Sequence, residues 1–184
     1  SIDEAIAEVA DDVDAMFGAL LAVPTDARAK LFEAMRHAAM GGGKRLRPLL
    51  VIATASIFNV ARTQSIRAGT AVEAIHVYSL VHDDLPCMDD DDLRRGKPTV
   101  HKAFDEATAV LAGDSLHALA FEILSDPETH PDPFTRGEMI ATLAKASGPD
   151  GMAGGQMMDL EAEKSSFDLP TVTRLQALKT GALI

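Results

Sequence analysis

One short stretch of the chain limits what the rest can fold into. Residues 83–92 hold six carboxylates, and three cationic side chains follow at Arg94, Arg95 and Lys97. Carboxylates this dense repel one another unless a cation lies among them. The apolar segment 71–81 runs straight into the first two aspartates. The chain must therefore end a half-buried element where this charge begins.

Two interpretations of the acidic run follow from its chemistry. A magnesium site that meets a polyanion would use the carboxylates as ligands and the cations as phosphate binders. A solvated acidic loop is the more common explanation of a charge run. The acidic run begins directly after an apolar segment. This position favours the metal site, because a solvated loop does not need to follow a half-buried helix.

Composition limits the class of protein. A length of 184 residues predicts one domain, 1–184, and the hydrophobic fraction of 47% supports a real core. The sequence has no run of 18 apolar residues, so we expect no membrane span. The net charge of -11 argues against a nucleic-acid partner but leaves room for a small phosphate ester. A lone cysteine, Cys87, and an acidic N-terminus unlike a targeting peptide predict a cytoplasmic protein.

Apolar spacing predicts an all-α fold. Spacings of three and four residues recur, whereas period-2 alternation and hairpin signals are absent from the sequence. Pro24 ends the first helix, Thr25 or Asp26 can cap the second, Pro48 fits the first turn of the third, and Thr63 is a plausible cap for the fourth. The predicted helices are 2–20, the segment from 26 to the glycines at 41–43, 48–58, 63 to the acidic run, 105–125, 135–146, 152–163 and 170–184.

The stretch Gly41-Gly42-Gly43-Lys44-Arg45-Leu46-Arg47-Pro48 predicts an anion pocket. A P-loop is excluded, because position 38 is Ala38, Arg45 follows the lysine and no strand precedes it. Three glycines that allow close backbone approach, three cations and a helix N-terminus remain. The alternative is a helix end with scattered surface cations.

The other charged and small residues allow more than one interpretation. Arg94 and its neighbours could form salt bridges with the acidic run, or could bind the phosphates of a ligand whose metal the acids hold. His76 and His82 lie six residues apart and do not share a helix face, so a two-histidine metal site is not expected. The pair His82-Asp83 also allows the interpretation as a helical phosphohydrolase. Gly154 and Gly155 indicate close helix approach or room for a ligand.

Taken together and in this order, the motifs resemble those of the trans-isoprenyl diphosphate synthases, the polyprenyl synthetase family, and most closely its bacterial and plastid short-chain farnesyl and geranylgeranyl members. The matching segments are GGKRLRP at 42–48, HDDLPCMDDDDLRRGKPT at 82–99, LAGD at 111–114, GGQMMDL at 154–160 and KTGALI at 179–184.

The resemblance implies an all-helical bundle around a central cavity, a magnesium cofactor, isopentenyl and allylic diphosphate substrates, and a homodimer. Asp83 and Asp89 would ligate magnesium, with Asp84 assisting. Arg94 would hold the allylic diphosphate, and Lys179 and Thr180 would reach it from the opposite wall. The residues that would bind isopentenyl diphosphate are Lys44, Arg47, His76 and Arg95.

One departure from the family concerns the end of the sequence. The family carries a second aspartate-rich motif downstream, and the sequence stops at Ile184 without it. We therefore expect the chain to be the N-terminal portion of a prenyl synthase domain. The alternative is a noncatalytic subunit that regulates a heteromeric synthase, although such subunits tend to lose the first motif, which is intact here.

Product length depends on the residues before the acidic run. On a helix Ser79 lies four residues before Asp83, and Tyr78 lies one further, about 7.5 Å back along the axis. The ring of Tyr78 would form a floor under a growing prenyl tail. Together with the insertion Pro86-Cys87, it resembles bacterial farnesyl synthases. We predict a fifteen-carbon product, with twenty carbons as the alternative.

Overall fold

The computed structural model describes residues 2–40 and 42–184, and helices account for most of them. The helices are α1 Ile2–Leu20, α2 Ala29–Ala39, α3 Leu46–Ile57, α4 Arg62–Asp83, α5 Val100–Ala103, α6 Glu106–Ser125, α7 Pro133–Ser147, α8 Met152–Ala162 and α9 Leu169–Lys179. A 3₁₀ turn, Gly181–Leu183, follows α9. The predicted all-α class is confirmed.

Two short strands form the β-structure of the described residues. Strand β1, Leu93–Arg94, pairs antiparallel with β2, Lys97–Pro98. Both residues of the connecting turn, Arg95 and Gly96, have positive φ, at 52° and 77°. Such two-residue turns match the twist of a hairpin. Strands of two residues are too short to produce a detectable alternation of apolar and polar residues in the sequence.

The chain divides into two compact units, Ser1–Thr129 and His130–Ile184. In the first, α4 packs against α6 and α3, with α1 and α2 beside them. Its core is apolar, and its largest fully buried side chains include Phe17, Leu21, Ile75, Leu116 and Ile123. The second unit consists of α7, α8, α9 and the 3₁₀ turn. A single domain over 1–184 stays a prediction.

Several helix ends agree with the sequence and three do not. Asp105 caps α6, because its carboxylate accepts a hydrogen bond from the Thr108 N–H at 2.7 Å. Asp26 instead binds the N–H and guanidinium of Arg28, so α2 begins later, at Ala29. Thr63 lies inside α4 and caps nothing. The last helix ends at Lys179, where the chain tightens into the 3₁₀ turn.

Helix α6 is long and apolar enough, by length and composition alone, to cross a membrane. The core helix of a folded domain meets the same criterion. Ala112, Leu116 and Ile123 of this helix are buried in the first unit. Packing accounts for this part of its apolar surface, whereas Val110 and Leu111 are exposed.

Two glycines allow helices to approach α4 closely. A Cβ on Gly113 of α6 would lie 2.1 Å from the His82 Nε2 atom, far inside van der Waals contact. A Cβ on Gly69 of α4 would lie 3.2 Å from the Cα of Pro48 on α3. These contacts fix the C-terminal end of α4 and the start of α3, which carry the charged motifs.

Candidate active site

The acidic turn, residues 83–92, folds back on the end of α4. The Asp89 N–H donates to the Asp83 carbonyl at 2.8 Å, and the Asp91 N–H donates to the Asp84 carbonyl at 3.2 Å. These bonds bring the backbones of Asp83 and Asp89 side by side, although five residues separate them. Asp83 is half-buried and Asp89 is exposed. The run is therefore an ordered turn.

Asp92, the last carboxylate of the acidic turn, agrees with the interpretation as a solvated residue. Asp92 is exposed and forms an ion pair with Lys102 at 2.8 Å. The hydrogen bond from Lys102 lowers the pKa of the Asp92 carboxyl below its ordinary value. This partner is not one of the three cations that follow the run.

Asp84 is buried and paired with Arg94. Only 3% of Asp84 is exposed. The Arg94 Nε lies 3.1 and 3.0 Å from the two carboxylate oxygens, and Nη2 donates at 2.6 Å. The hydrogen bond that Arg94 donates to Asp84 raises the pKa of Arg94. Both oxygens of Asp84 thus accept from arginine, and its predicted assistance to a metal stays a prediction.

A pocket of about 500 Å³, which we call the basic pocket, lies beside the glycine-rich loop, residues 42–48. It is open to solvent, and it brings together four residues that the sequence assigned to one ligand. These are Lys44, Arg47, His76 and Arg95. Positive charge converging on a cavity favours an anionic ligand.

The loop conformation explains its glycines. Gly42 and Gly43 have φ of 82° and 143°, in the region that favours glycine. A Cβ on Gly43 would lie 2.3 Å from Nη1 of Arg95. That guanidinium donates to the Gly42 carbonyl, which ties the loop to the β-turn. Gly41 lies outside the described residues.

Two groups in the basic pocket are prepared for a ligand. Burial and the positive charges of Arg47 and Arg95 lower the pKa of His76 from 6.5 to about 4. The imidazole is therefore neutral at pH 7, and one ring nitrogen carries a proton to donate. The Nε of Arg47 is buried and has no hydrogen-bond partner among the described residues. A buried donor of this kind requires an acceptor.

Arg45 departs from the predicted anion pocket. Its side chain is 2% exposed and forms ion pairs with Asp14 at 2.6 Å and with Glu73 at 2.9 Å. It also donates to the Ala39 carbonyl, and its guanidinium carbon lies 5.8 Å from the Phe17 ring centroid. Of the three cations predicted to bind an anion, Lys44 and Arg47 fit that role. Arg45 does not, because the carboxylates of Asp14 and Glu73 neutralise its charge.

A second, smaller cavity of about 50 Å³ connects the two charged motifs. Asp84 and Arg94 are among its lining residues, and His76 and Arg95 line both this cavity and the basic pocket. Leu80 is among its apolar lining residues. The acidic turn and the basic pocket are therefore neighbouring parts of one site.

Tyr78 belongs to a row of rings across α4 and α6. Its ring centroid lies 5.7 Å from that of His82 and 4.8 Å from that of His117, and His117 in turn contacts Phe121 at 5.4 Å. Burial and the charge of Asp83 raise the pKa of Tyr78. His117 was not predicted as part of the site, because a single histidine in an apolar helix gives no signal of its ring partner.

The hydroxyl of Ser79 donates to the His76 carbonyl at 2.7 Å. It is therefore engaged with the α4 backbone. A role of Ser79 in product length stays a prediction, as it does for Tyr78.

Lys179 and Thr180 lie in the second unit. Lys179 forms an ion pair with Asp159 of α8, a residue to which the sequence analysis gave no role. A Cβ on Gly155 would lie 2.2 Å from the Lys179 backbone nitrogen, so the predicted close helix approach at this glycine is confirmed. The Thr180 N–H donates to the Gln176 carbonyl at 3.1 Å. Their contact with an allylic diphosphate stays a prediction.

The described residues fit a magnesium ion only in combination with a substrate. No three His, Cys, Asp or Glu side chains in this part of the chain are grouped to hold a metal by themselves. Magnesium is commonly bound through one or two carboxylates, with substrate phosphates and water completing its shell. The hard oxygens of Asp83 and Asp89, on the adjoining backbones of the acidic turn, match that requirement.

Comparison with known proteins gives consistent results. Residues 28–184 match the family model described as polyprenyl synthetase. Farnesyl diphosphate synthase of Escherichia coli is 54% identical over 154 residues, which are 83% of this chain and 51% of that protein. A chloroplastic geranylgeranyl pyrophosphate synthase of Capsicum annuum is 44% identical over 155 residues, 84% of this chain and 42% of that protein.

A solved structure agrees with the fold. The crystal structure of an FPP/GFPP synthase from Zymomonas mobilis aligns with a TM-score of 0.95 at 66% identity, over 97% of this chain and 65% of that one. The chain spans about half the length of the curated relatives it matches.

Proposed function

The chain belongs to the polyprenyl synthetase family, and from that membership we propose that the protein is a short-chain trans-prenyltransferase. It would condense isopentenyl diphosphate with dimethylallyl or geranyl diphosphate to give farnesyl diphosphate. The observation that carries this proposal is the convergence of Lys44, Arg47 and Arg95 with neutral His76 on one basic pocket. A diphosphate supplies the negative charge that these cations attract.

The proposed division of labour follows the two cavities. Lys44, Arg47 and Arg95 hold the diphosphate of isopentenyl diphosphate, and His76 donates a hydrogen bond without adding charge. Arg94 holds the allylic diphosphate and is itself held by Asp84. Lys179 is proposed to contact that same diphosphate.

In the reaction, the allylic C–O bond breaks, a C–C bond forms to the double bond of isopentenyl diphosphate, and a proton leaves. When bound by Asp83 and Asp89, magnesium would withdraw charge from the leaving diphosphate. Arg94 neutralises part of the same charge, and the basic pocket holds the second substrate at reacting distance. The released diphosphate takes the proton.

The proposed product has fifteen carbons. Tyr78 lies five residues before Asp83 and its ring is held between His82 and His117, which supports a role as the floor of the tail site. Twenty carbons is a second candidate, supported by the 44% identity to a geranylgeranyl synthase. A homodimer and a cytoplasmic location stay predictions.

The test uses the full-length gene product with magnesium, labelled isopentenyl diphosphate and geranyl diphosphate. We expect labelled farnesyl diphosphate from the wild type and from the control Asp90→Ala, and little or none from Asp83→Ala. Asp90 is a matched control because it lies exposed in the same acidic turn.

Three outcomes would count against the proposal. Absence of any extended prenyl product from the wild type would favour the noncatalytic subunit. Release of inorganic phosphate without isopentenyl diphosphate would favour a phosphohydrolase. Equal losses in Asp83→Ala and Asp90→Ala would show that the charge of the turn matters and not the placement of Asp83.

A further inference from the structure

The glycine-rich loop contains a buried cation whose partners come from three helices. Asp14 lies on α1, Ala39 ends α2 and Glu73 lies on α4, and each provides an oxygen that accepts from the Arg45 guanidinium. Arginine suits this task, because its planar fork offers several donors in fixed directions. A lysine ammonium has three donors at one point and cannot span the same acceptors.

The backbone shows that this inward orientation is built into the loop. Arg45 has φ of 47° and ψ of 39°, a left-handed conformation that a residue other than glycine adopts at some cost. It lies between Lys44, which is exposed, and Arg47, which is half-buried; both line the basic pocket. A strained conformation persists only where the surroundings hold it. The three acceptors supply that hold.

We propose that Arg45 is a positioning residue that sets the placement of Lys44 and Arg47 in the basic pocket. Its own charge is neutralised by Asp14 and Glu73, so its contribution is to the geometry of the loop and not to the field on the ligand. Glu73 lies on α4 three residues before His76, so the same contact fixes the loop relative to that imidazole.

The identity of the ligand rests on the proposed function, whereas the positioning role does not. The test therefore combines a kinetic measurement with a binding measurement. One is the KM for isopentenyl diphosphate and for geranyl diphosphate together with kcat. The other is the affinity of the full-length protein for inorganic diphosphate by calorimetry, which needs no turnover.

The variant Arg45→Lys keeps the charge and removes the fork. We expect the KM for isopentenyl diphosphate to rise roughly ten- to a hundredfold, with the KM for geranyl diphosphate within about threefold of wild type, because misplacement of binding groups by about an ångström has effects of that size. The affinity for inorganic diphosphate should fall in parallel. Asp14→Asn, which removes the partly exposed partner, should give a smaller shift in the same direction and is safer for folding.

The matched control is Arg62→Lys. Arg62 also joins α4 to α1, through ion pairs with Glu8 and Asp12 at 3.0 and 2.6 Å, but it does not line the basic pocket. We expect the KM for isopentenyl diphosphate and the affinity for inorganic diphosphate to be unchanged in this variant.

The proposal is overturned if folded Arg45→Lys and Asp14→Asn bind inorganic diphosphate and isopentenyl diphosphate as the wild type does. An equal rise in both substrate KM values would also overturn it, because the effect would then be general. A wild type that binds inorganic diphosphate but makes no prenyl product would overturn the proposed function, and the calorimetric series would still decide the role of Arg45.

Discussion

The glycine-rich loop and the acidic turn each bury one charged side chain, but the protein compensates the two to different degrees. Arg45 is neutralised by two carboxylates and a carbonyl, and its side chain is 2% exposed. Among the described residues, the Asp84 carboxylate pairs with Arg94 alone, and the Arg94 side chain is 35% exposed. The first buried charge is paired with two carboxylates although Arg45 lines both cavities, whereas the second has one partner, which is partly exposed.

The difference separates two roles that look alike in sequence. Both motifs read as charged clusters, and in both the residue most fully engaged by the protein is the one least available to substrate. Substitution of Arg45 should therefore damage stability more than substitution of Arg94, and substitution of Arg94 should damage turnover of a bound allylic substrate more.

The largest expected effect is the loss of stability in Arg45→Ala. Removal of one partner leaves Glu73 buried with an uncompensated charge, which costs about 3 to 5 kcal/mol in comparable cases. Urea unfolding measures the change, and Arg62→Ala, at a surface ion pair, should cost about 0 to 1 kcal/mol. Equal losses of unfolding free energy in Arg45→Ala and Arg62→Ala would contradict the special role of the buried Arg45.

The next effect is the pH dependence contributed by His76, which lines both cavities. The unfolded chain takes up a proton near pH 6.5 and the folded chain only near pH 4, so the free energy of unfolding falls as pH drops through that window. The contribution is at most about 3 kcal/mol. The wild type minus His76→Gln difference, from unfolding curves between pH 7.5 and 4, isolates it; parallel curves would contradict the prediction.

Arg94→Ala should act mainly on turnover. We expect kcat with geranyl diphosphate to fall about a hundredfold, the loss typical of one preorganised donor to a developing negative charge. The stability cost should be smaller than that of Arg45→Ala, because Arg45→Ala leaves two carboxylates without their partner and Arg94→Ala leaves one, Asp84. A stability loss as large as that of Arg45→Ala would remove the contrast between the motifs.

The smallest change in overall rate is expected for Tyr78→Ala. Its ring contacts lie with His82 and His117, outside the basic pocket. Product length should increase beyond fifteen carbons while the KM for isopentenyl diphosphate stays within about twofold, since the diphosphate geometry is untouched. Chromatography of dephosphorylated products measures this, and an unchanged profile would place the floor elsewhere.

The sequence predicted the helical scaffold because its signals are local. Apolar spacing predicted α1 with its correct ends, and the helix predicted over 105–125 lies within one residue of α6. The caps at Asp26 and Thr63 were wrong, because a capping residue type has no preference among several nearby starts. Asp26 found a closer donor in Arg28.

The site was less accessible to sequence reasoning, because its important contacts join distant residues. The family resemblance implied Lys44, Arg47, His76 and Arg95 as one binding set, and the structure brings them together around one pocket. That Arg45 turns inward depends on the backbone angle of that residue and on Asp14 and Glu73, 31 and 28 residues away. The partner of Lys179, Asp159, is 20 residues away and equally invisible to a local pattern.

The exposed thiol of Cys87 gives the acidic turn a practical use. It lies between Asp83 and Asp89, and the sequence contains no other cysteine. Within these 184 residues, a maleimide fluorophore would therefore label the turn at a single position. Its emission would respond when a cation and a diphosphate draw the surrounding charges together, giving an optical titration of ligand binding that is independent of product formation.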